Sequence, residues 1–429
     1  MLTQDLHVQM TRDGVFSRRA FLRHVAVGAA GVTALHWMDA VRVSAAELRK
    51  RGLACILLFM RGGPSQFETF DPKPSADTGG PTKAIDTAVP GIQIAEGWPT
   101  VAAQMKDIAL IRSVTNREGN HERAVYQLHT GYVPGGGVKY PTLGSIVASE
   151  LADPAFDLPH FVQIGGRIPI GAGFLGMNYA PFVVPNPSQM PANVALPPGV
   201  GDERFGRRLD LLYQLEQDFA DAGGRARVVD HQAVYQTAAQ MVRSPRLKAF
   251  DISQEKESVR SRYGRSPFGQ GCLLARRLVE AGVTFVEVTS DGWDTHDNNF
   301  ERVKTLAGGV DPGFGTLGAD LTERGLVETT LVIWMGEFGR SPTLNGRTGR
   351  DHDPRAFSVA LAGAGIKGGQ VIGATDRGGR AVTSRPVTVA DLFCTFCHAL
   401  QINPRKENQS GVGRPIKIVD GGTAVKELF

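Results

Sequence analysis

The stretch that decides the fold is residues 329–354, TTLVIWMGEFGRSPTLNGRTGRDHDP. Residues 330–335 form a continuous apolar and β-branched run, which predicts a strand buried on both faces of a sheet. Polar chemistry begins where this strand stops, because Glu337 follows it, and Asp351 and His352 come after a loop rich in Gly, Arg and Asn. In open α/β sheets the working site lies at the carboxyl ends of the strands, so we expect a site here.

A second strand with the same kind of ending is predicted upstream. Residues 283–289, VTFVEVT, read as a strand, and Asp294 and His296 lie just beyond its end. Two strand ends therefore each carry a carboxylate and an imidazole. Because such ends meet at one edge of a parallel sheet, we expect Asp294, His296, Glu337 and His352 to converge.

The rest of the chain alternates further strands with helices. Strands are predicted at 53–60, 108–114 and 357–362, and helices at 142–151, 203–222, 232–242 and 268–281. The strand at 108–114 leads to His121 near a helix N-terminus, and His129 in that helix is predicted to be a packing or capping residue. A stripe at helical spacing predicts a core face, and it comprises Leu209, Leu212, Leu215 and Phe219. This alternation predicts one α/β domain over 52–429.

The charge distribution argues against a nucleic-acid partner. The formal net charge is +4, and the body of the chain contains no block of Lys and Arg. With 429 residues, 42% of them hydrophobic, the chain has ample material for a packed core. These values are those of an ordinary globular protein.

The N-terminal segment has the features of an export signal. Residues 17–23, SRRAFLR, precede an apolar stretch at 25–37, and small residues at 43–45 offer a cleavage site. This order resembles a twin-arginine signal over residues 1–45, which implies export of the folded protein by the twin-arginine translocase to a periplasmic or extracytoplasmic location. The alternative is an N-terminal amphipathic or anchor helix. No segment of the mature chain has the length of a membrane span.

The cysteines predict no disulfide framework. Cys55 lies in a predicted strand and Cys272 in a predicted apolar helix, where a free thiol acts as a small apolar side chain. Cys394, Cys397 and His398 match a haem-attachment pattern. Their segment has helical apolar spacing, which favours two packed helix cysteines over haem.

The side chains that we expect to converge are of the types that bind metal ions. Mixed carboxylate and imidazole ligands suit Zn²⁺, Mn²⁺ or Fe, whereas a site with more oxygen ligands would suit Mg²⁺ or Ca²⁺. A bound divalent metal can polarise a phosphoryl or sulfuryl oxygen, or lower the pKa of a bound water. Taken singly, each of these residues can equally be a loop capping group.

Arginines crowd the same loop, namely Arg340, Arg347, Arg350 and Arg355. Planar guanidinium groups bind tetrahedral oxyanions bidentately, so this group fits a phosphate- or sulfate-like ligand. The alternative is a set of internal salt bridges to the neighbouring acids Glu337, Asp351 and Asp353.

Several motifs occur in order along the mature chain. They are Gly62-Gly63-Pro64-Ser65 with 69–73, Asn120-His121 with 129–131, Gly292-Trp293-Asp294-Thr295-His296, 336–340 and 349–352. Together they resemble the DUF1501 family, exported bacterial proteins that are frequent in planctomycetes and related to the sulfatase and alkaline phosphatase superfamily. The resemblance covers about 53–402 and implies an alkaline phosphatase-like three-layer sandwich with a mostly parallel sheet.

The resemblance also implies a function and a set of roles. His121 falls at the nucleophile position of sulfatases, where this chain has no Cys, Ser or Thr, and Asp71 is the nearest substitute for a metal-binding Asp missing after the first strand. The implied ligands of a divalent metal are Asp294, His296, Glu337, His352 and Asp71, with His121 at the reacting centre and Arg340 and Arg350 on the oxyanion. The implied activity is hydrolysis of phosphate or sulfate esters of a small molecule or glycan. The alternative is a catalytically degenerate protein that binds sulfated or phosphorylated glycans.

Overall fold

A computed structural model describes residues 52–166 and 168–429, and the predicted export signal at 1–45 lies outside the described residues. The strands are β1 (Ala54–Met60), β2 (Ala84–Asp86), β3 (Gln93–Ala95), β4 (Ile108–Thr115), β5 (Phe161–Ile164), β6 (Phe182–Val184), β7 (Phe285–Ser290), β8 (Thr330–Met335), β9 (Gly339–Leu344), β10 (Arg350–Asp353), β11 (Phe357–Ala362), β12 (Gln370–Ile372), β13 (Ala374–Thr375), β14 (Val382–Ser384), β15 (Val387–Thr388), β16 (Glu407–Gln409) and β17 (Pro415–Lys417). The α-helices are α1 (Pro99–Ala103), α2 (His121–Thr130), α3 (Leu143–Leu151), α4 (Asp202–Phe219), α5 (Arg225–Arg243), α6 (Glu257–Arg262), α7 (Pro267–Glu280), α8 (Asn299–Glu323) and α9 (Val389–Ala399). None of the described helices is both long enough and apolar enough to span a membrane.

The central sheet of the described chain has nine strands in the order β12-β4-β11-β8-β1-β7-β5-β6, with β15 beside β4. Strand β1 pairs in parallel with β7 and β8, and β7 pairs in parallel with β5. Strand β11 runs antiparallel to both of its neighbours, β4 and β8. The carboxyl ends of β4, β8, β1 and β7 therefore lie at one edge of the sheet.

Strand β1 is apolar on both sides because helices cover both faces of the sheet. Ile56 and Leu58 belong to a core with residues of α1, α7 and α8. Leu57 and Phe59 belong to a second core with residues of α2, α3 and α9. Each fully buried Leu or Phe contributes about 1.5–3 kcal/mol to stability. The predicted three-layer α/β sandwich with a mostly parallel sheet is confirmed.

The longest helix of the described residues, α8, has no counterpart among the predicted helices. It contains Pro312 and several glycines. In a helix interior, proline is about 3 kcal/mol and glycine about 1 kcal/mol less favourable than alanine. Close packing explains a glycine here, because a Cβ at Gly313 would lie 2.9 Å from the Cα of Gly269 in α7. Tertiary contact between the two helices thus outweighs local propensity.

The predicted core stripe on α4 requires a correction. Leu215 is 67% exposed and Phe219 is 52% exposed, while Leu209 and Leu212 are half-buried. No residue of α4 is fully buried. The helix packs against α5, where the guanidinium of Arg243 lies 5.2 Å from the ring centre of Phe205. Helical spacing identified an apolar stripe, but it could not tell whether a partner covers that stripe.

Two smaller features complete the frame of the site. The Gly- and Arg-rich segment after β8 forms the hairpin β9–β10, in which His352 pairs with Arg340. All four cysteines are free and buried. Cys394 and Cys397 lie in α9, within the core.

Candidate metal centre

Four separate segments bring the site residues to the carboxyl edge of the sheet. His121 is the first residue of α2 beyond β4, and Asp294 and His296 follow β7. Glu337 follows β8, and His352 lies on β10. One ligand atom each of His121, Asp294 and His352 lies within 4.8 Å of the others.

The hydrogen bonds of two histidines orient their Nε2 atoms towards this point. His352 Nδ1 donates to the carbonyl oxygen of Gly119 at 2.8 Å. His296 Nδ1 lies 2.8 Å from Asp351 Oδ1 and donates to it. Such bonds to Nδ1 leave the lone pair on Nε2. The two Nε2 atoms are 2.9 Å apart, a distance at which two lone pairs repel unless a cation or proton is shared.

His121 has the same arrangement and one unpartnered nitrogen. Its Nδ1 lies 2.7 Å from Glu337 Oε1. Its Nε2 is buried without a hydrogen-bond partner and lies 3.3 Å from Asp294 Oδ2. The hydrogen bond that His121 Nδ1 donates to Glu337 is the main reason that the pKa of His121 is raised, although burial opposes it. A more basic imidazole is also a stronger metal ligand.

Glu337 lies behind His121 rather than among the converging ligand atoms. Its side chain is fully buried, and its two oxygens accept the Gly62 N–H at 2.9 and 3.1 Å. Gly62 has φ +119°, and a Cβ there would lie 2.4 Å from the backbone N of Asp294. Glycine is therefore required where the turn after β1 approaches the site. Glu337 was expected to be a ligand, and the structure places it as the residue that orients His121.

Asp294 is the central carboxylate of the cluster. Its Oδ1 accepts a hydrogen bond of 2.6 Å from Arg340 Nη2 and lies 3.1 Å from His296 Nε2 and 3.3 Å from His352 Nε2. Burial opposes ionisation of Asp294, but the hydrogen bond and charge of Arg340 outweigh it and lower the pKa of Asp294 to about 2. Asp294 therefore carries a negative charge at neutral pH.

The donor set fits a divalent transition metal. Three imidazole Nε2 atoms and one ionised carboxylate, each held by a second hydrogen bond, are the ligands that Zn²⁺ and similar ions prefer. The buried, unpartnered Nε2 of His121 is the observation that a metal would explain best. His121, His352 and Asp294 each place one ligand atom within 4.8 Å of the others, and His296 adjoins them, with its Nε2 2.9 Å from His352 Nε2 and 3.1 Å from Asp294 Oδ1.

Residues 53–429 match the family described as "Protein of unknown function (DUF1501)". The chain belongs to this family. No curated protein matches the DUF1501 chain.

Solved structures similar to the DUF1501 chain include a sulfatase, an alkaline phosphatase superfamily protein and a phosphonate monoester hydrolase. One is the PsFucS1 sulfatase from Pseudoalteromonas sp., with 14% identity, 84% of this chain and 71% of that chain covered, and a TM-score of 0.39. Another is a protein in the alkaline phosphatase superfamily from Vibrio parahaemolyticus, with 10% identity, coverage of 82% and 67%, and a TM-score of 0.37. A third is the phosphonate monoester hydrolase of Agrobacterium radiobacter, with 12% identity, coverage of 88% and 77%, and a TM-score of 0.31.

Arg350 of the DUF1501 chain is not directed at the cluster. Its Nε and Nη2 donate to Glu68 Oε1 at 3.2 and 3.0 Å. Its remaining N–H groups donate to the carbonyl oxygens of Thr78, Ser341 and Pro342. All five donors of this buried guanidinium are thereby used. Arg350 was expected to bind the oxyanion of a substrate. The structure instead shows it holding together the loops around the site.

Arg340 is similarly committed to the protein. Its Nε donates to Gly63 O at 2.8 Å and its Nη1 to Arg350 O at 3.0 Å. Its Nη2 donates to Asp294 as well as to the carbonyl oxygens of Gly62 and Trp293. Arg340 is fully buried, so it acts on the site by orienting Asp294.

Asp71 is not brought to the site of the DUF1501 chain. Its Oδ1 lies 2.9 Å from Lys73 Nζ and 3.7 Å from Arg112 Nε, and its Oδ2 accepts a hydrogen bond from Thr375. Asp71 is buried, and its carboxylate links Lys73, Arg112 and Thr375 inside the protein. Asp71 was expected to replace a ligand missing after β1, and the structure instead pairs it with Lys73, Arg112 and Thr375.

The sequence did not identify three groups that position or pack against the histidines of the site. Asp351 orients His296, and a signal existed because Asp351 adjoins His352. The carbonyl of Gly119 carries no side-chain signal. The ring of Phe338 packs against His121 and His352, with ring centres 4.9 and 4.6 Å apart, and shields one side of the cluster.

Proposed function

We propose that this protein is an exported, metal-dependent hydrolase of phosphate or sulfate esters. The single observation that carries the proposal is the buried, unpartnered Nε2 of His121, directed at the same point as Asp294 and the Nε2 of His352. In the absence of a cation, this geometry brings lone pairs and a negative charge together at a cost. A metal ion removes that cost.

The ligands in this proposal are His121, His296, His352 and Asp294. A bound divalent ion such as Zn²⁺ or Mn²⁺ supplies Lewis-acid polarisation of an ester oxygen and a lower pKa for water. Glu337 holds His121 in position through Nδ1, so both nitrogens of His121 are committed. This favours His121 as a ligand over His121 as the acceptor of a phosphoryl group.

The cluster is partly exposed to solvent, so an ester group attached to a larger molecule can reach it. The side chains of His121 and Asp294 are 32% and 45% exposed, so the site is open on one side. The N–H groups of Arg340 and Arg350 donate to other groups of the protein. The positive charge that binds the oxyanion therefore comes from the metal. Removal of the metal should therefore abolish binding of phosphate or sulfate as well as turnover.

A second candidate function is binding of sulfated or phosphorylated glycans without hydrolysis. The observation in its favour is that position 121, where sulfatases have a nucleophile, holds His rather than a hydroxyl or thiol residue. In this alternative the metal, if bound, serves recognition alone.

One experiment separates the two functions. The metal content of the purified protein is measured, followed by hydrolysis of aryl phosphate and aryl sulfate esters by the wild type, by Asp294→Ala and by the matched control Asp291→Ala. Asp291 lies in the same loop but is 55% exposed and pairs only loosely with Arg61 at 3.6 Å. One metal per chain, with turnover lost in D294A and kept in D291A, supports the hydrolase. An inert protein that binds sulfated polysaccharide supports the binding function, and turnover that persists after D294A contradicts the proposed site.

We propose export by the twin-arginine translocase on the basis of residues 17–23. Conversion of both arginines to lysine, R18K together with R19K, should retain the protein in the cytoplasm. Fractionation of cells that express the wild type and the double variant measures this. Equal export of both would contradict the proposal.

A further inference from the structure

The exposed side of α4 has a pattern that the site and the sheet do not use. Residues 208, 211, 215 and 218 recur at spacings of three, four and three, the seam spacing of a two-stranded coiled coil. Leu211 and Leu215 at the centre are 55% and 67% exposed. The ends of the seam are Arg208 and Asp218, both exposed.

This seam is distinct from the side by which α4 packs on the rest of the chain. The ring of Phe205 lies beneath the guanidinium of Arg243, and Glu216 hydrogen-bonds to His231 of α5. Phe205 and Glu216 lie on the helix face that also carries the half-buried Leu209 and Leu212. The helix thus has one apolar stripe that is already packed and a second that is open to solvent.

We propose that α4 pairs antiparallel with α4 of a second copy of this chain. The seam is symmetric about Tyr213, because Leu211 and Leu215 lie equally far on either side of it, as do Arg208 and Asp218. In an antiparallel pair related by a two-fold axis, Leu211 of one copy meets Leu215 of the other, and Arg208 meets Asp218. Such an interface is isologous, and the contact between Arg208 and Asp218 occurs twice, once at each end of the seam.

The charges select this partner and this direction. In a parallel pair Arg208 would face Arg208 and Asp218 would face Asp218, and both contacts are repulsive. Neither residue has an ion-pair partner within 52–166 and 168–429, so both remain available for the second copy. A helix of 18 residues spans about 27 Å, which gives a small interface and a reversible, concentration-dependent dimer.

Sedimentation velocity of the purified chain over a wide concentration range tests this pairing. The wild type should form a dimer, and Leu211→Asp with Leu215→Asp should remain monomeric at every concentration. These side chains are exposed, so circular dichroism and metal content should not change. A wild type that is monomeric throughout would overturn the proposal, as would a dimer that survives both leucine substitutions.

Charge reversal tests the antiparallel register independently. R208D alone and D218R alone should each weaken dimerisation at least about tenfold, because each creates like-charge contacts at both ends of the seam. The double variant R208D/D218R exchanges the charges and should restore the wild-type dissociation constant. An equimolar mixture of the two single variants should also dimerise. Additive weakening in the double variant would overturn the register.

Discussion

Helix α2 carries a histidine at each end, and the two lie in opposite environments. His121, at the N-terminus, is 32% exposed and leaves Nε2 unpartnered beside Asp294. His129, one residue before the C-terminus, is buried in the core, where its Nδ1 donates to Val125 O at 2.7 Å and its Nε2 lies 3.2 Å from Glu287 Oε1. Both histidines face a buried carboxylate.

The two histidines differ in the partner of the ring nitrogen that does not contact the buried carboxylate. His129 has both nitrogens paired inside the protein, and its ring packs edge-on against Phe59. His121 uses one nitrogen for Glu337 and directs the other at an exposed carboxylate and a second imidazole. A fully paired histidine stabilises the fold, whereas one with a directed, unpaired nitrogen is available for a ligand.

The largest expected effect is on stability at His129. His129→Ala leaves Glu287 buried without its partner, so we expect a loss of about 3–5 kcal/mol of unfolding free energy, measured by denaturant titration. Metal affinity should change little. Replacement of both partners by leucine, H129L/E287L, should recover most of the loss because no unpaired charge remains. If H129A lowers metal affinity as much as H121A does, the distinction between the two histidines fails.

The second effect is on metal affinity at His121. His121→Ala removes a ligand in our account, so metal affinity should fall by more than the ~100-fold that marks loss of an outer hydrogen-bond partner. Competition against a chromophoric chelator measures this, with H129L/E287L as the control in the buried core. Unchanged affinity in H121A would exclude His121 from the ligand set.

A smaller effect is expected at the residue behind His296. Asp351→Asn weakens the acceptor that orients His296 Nδ1, so metal affinity should fall about 10- to 100-fold. The same titration applies, with Asp291→Asn as the matched control in an exposed position. A larger loss than in H121A would mean that Asp351 itself binds the metal.

The smallest effect is a pH dependence of the metal-free protein. Burial disfavours the charged form of His129, but the charge of Glu287 outweighs it and raises the pKa of His129 above its usual value of 6.5. The resulting stabilisation is complete below about pH 6.5 and is lost as pH rises through the raised pKa, with a slope of at most about 1.4 kcal/mol per pH unit. The difference in unfolding free energy between the wild type and H129L/E287L should therefore shrink as pH rises. A constant difference would show that His129 does not change its charge on folding.

The sequence carried enough information for the sheet. Apolar runs at 330–335 and 108–114 became β8 and β4, because a strand covered on both faces must be apolar throughout. The convergence of Asp294, His296 and His352 also followed from their places at strand ends. These parts depend on local pattern and on one general property of parallel sheets.

The parts that could not be predicted depend on which atoms meet in three dimensions. Nothing local distinguishes Arg350, whose donors are all used by the Glu68 carboxylate and by loop carbonyls, from an arginine that is free to bind an anion. Glu337 read as a ligand because its buried contact, the Gly62 N–H, lies 275 residues away in the chain. Leu215 read as core because spacing reports an apolar stripe but not its cover.

The most direct test of the central claim is an anomalous-difference map from crystals of the protein grown with Zn²⁺, recorded at the zinc edge. Our account predicts a peak about 2.0–2.2 Å from the Nε2 atoms of His121, His296 and His352 and from a carboxylate oxygen of Asp294. A map with no peak at this point, from crystals whose refined structure instead places His121 Nε2 within hydrogen-bond distance of Asp294, would contradict it.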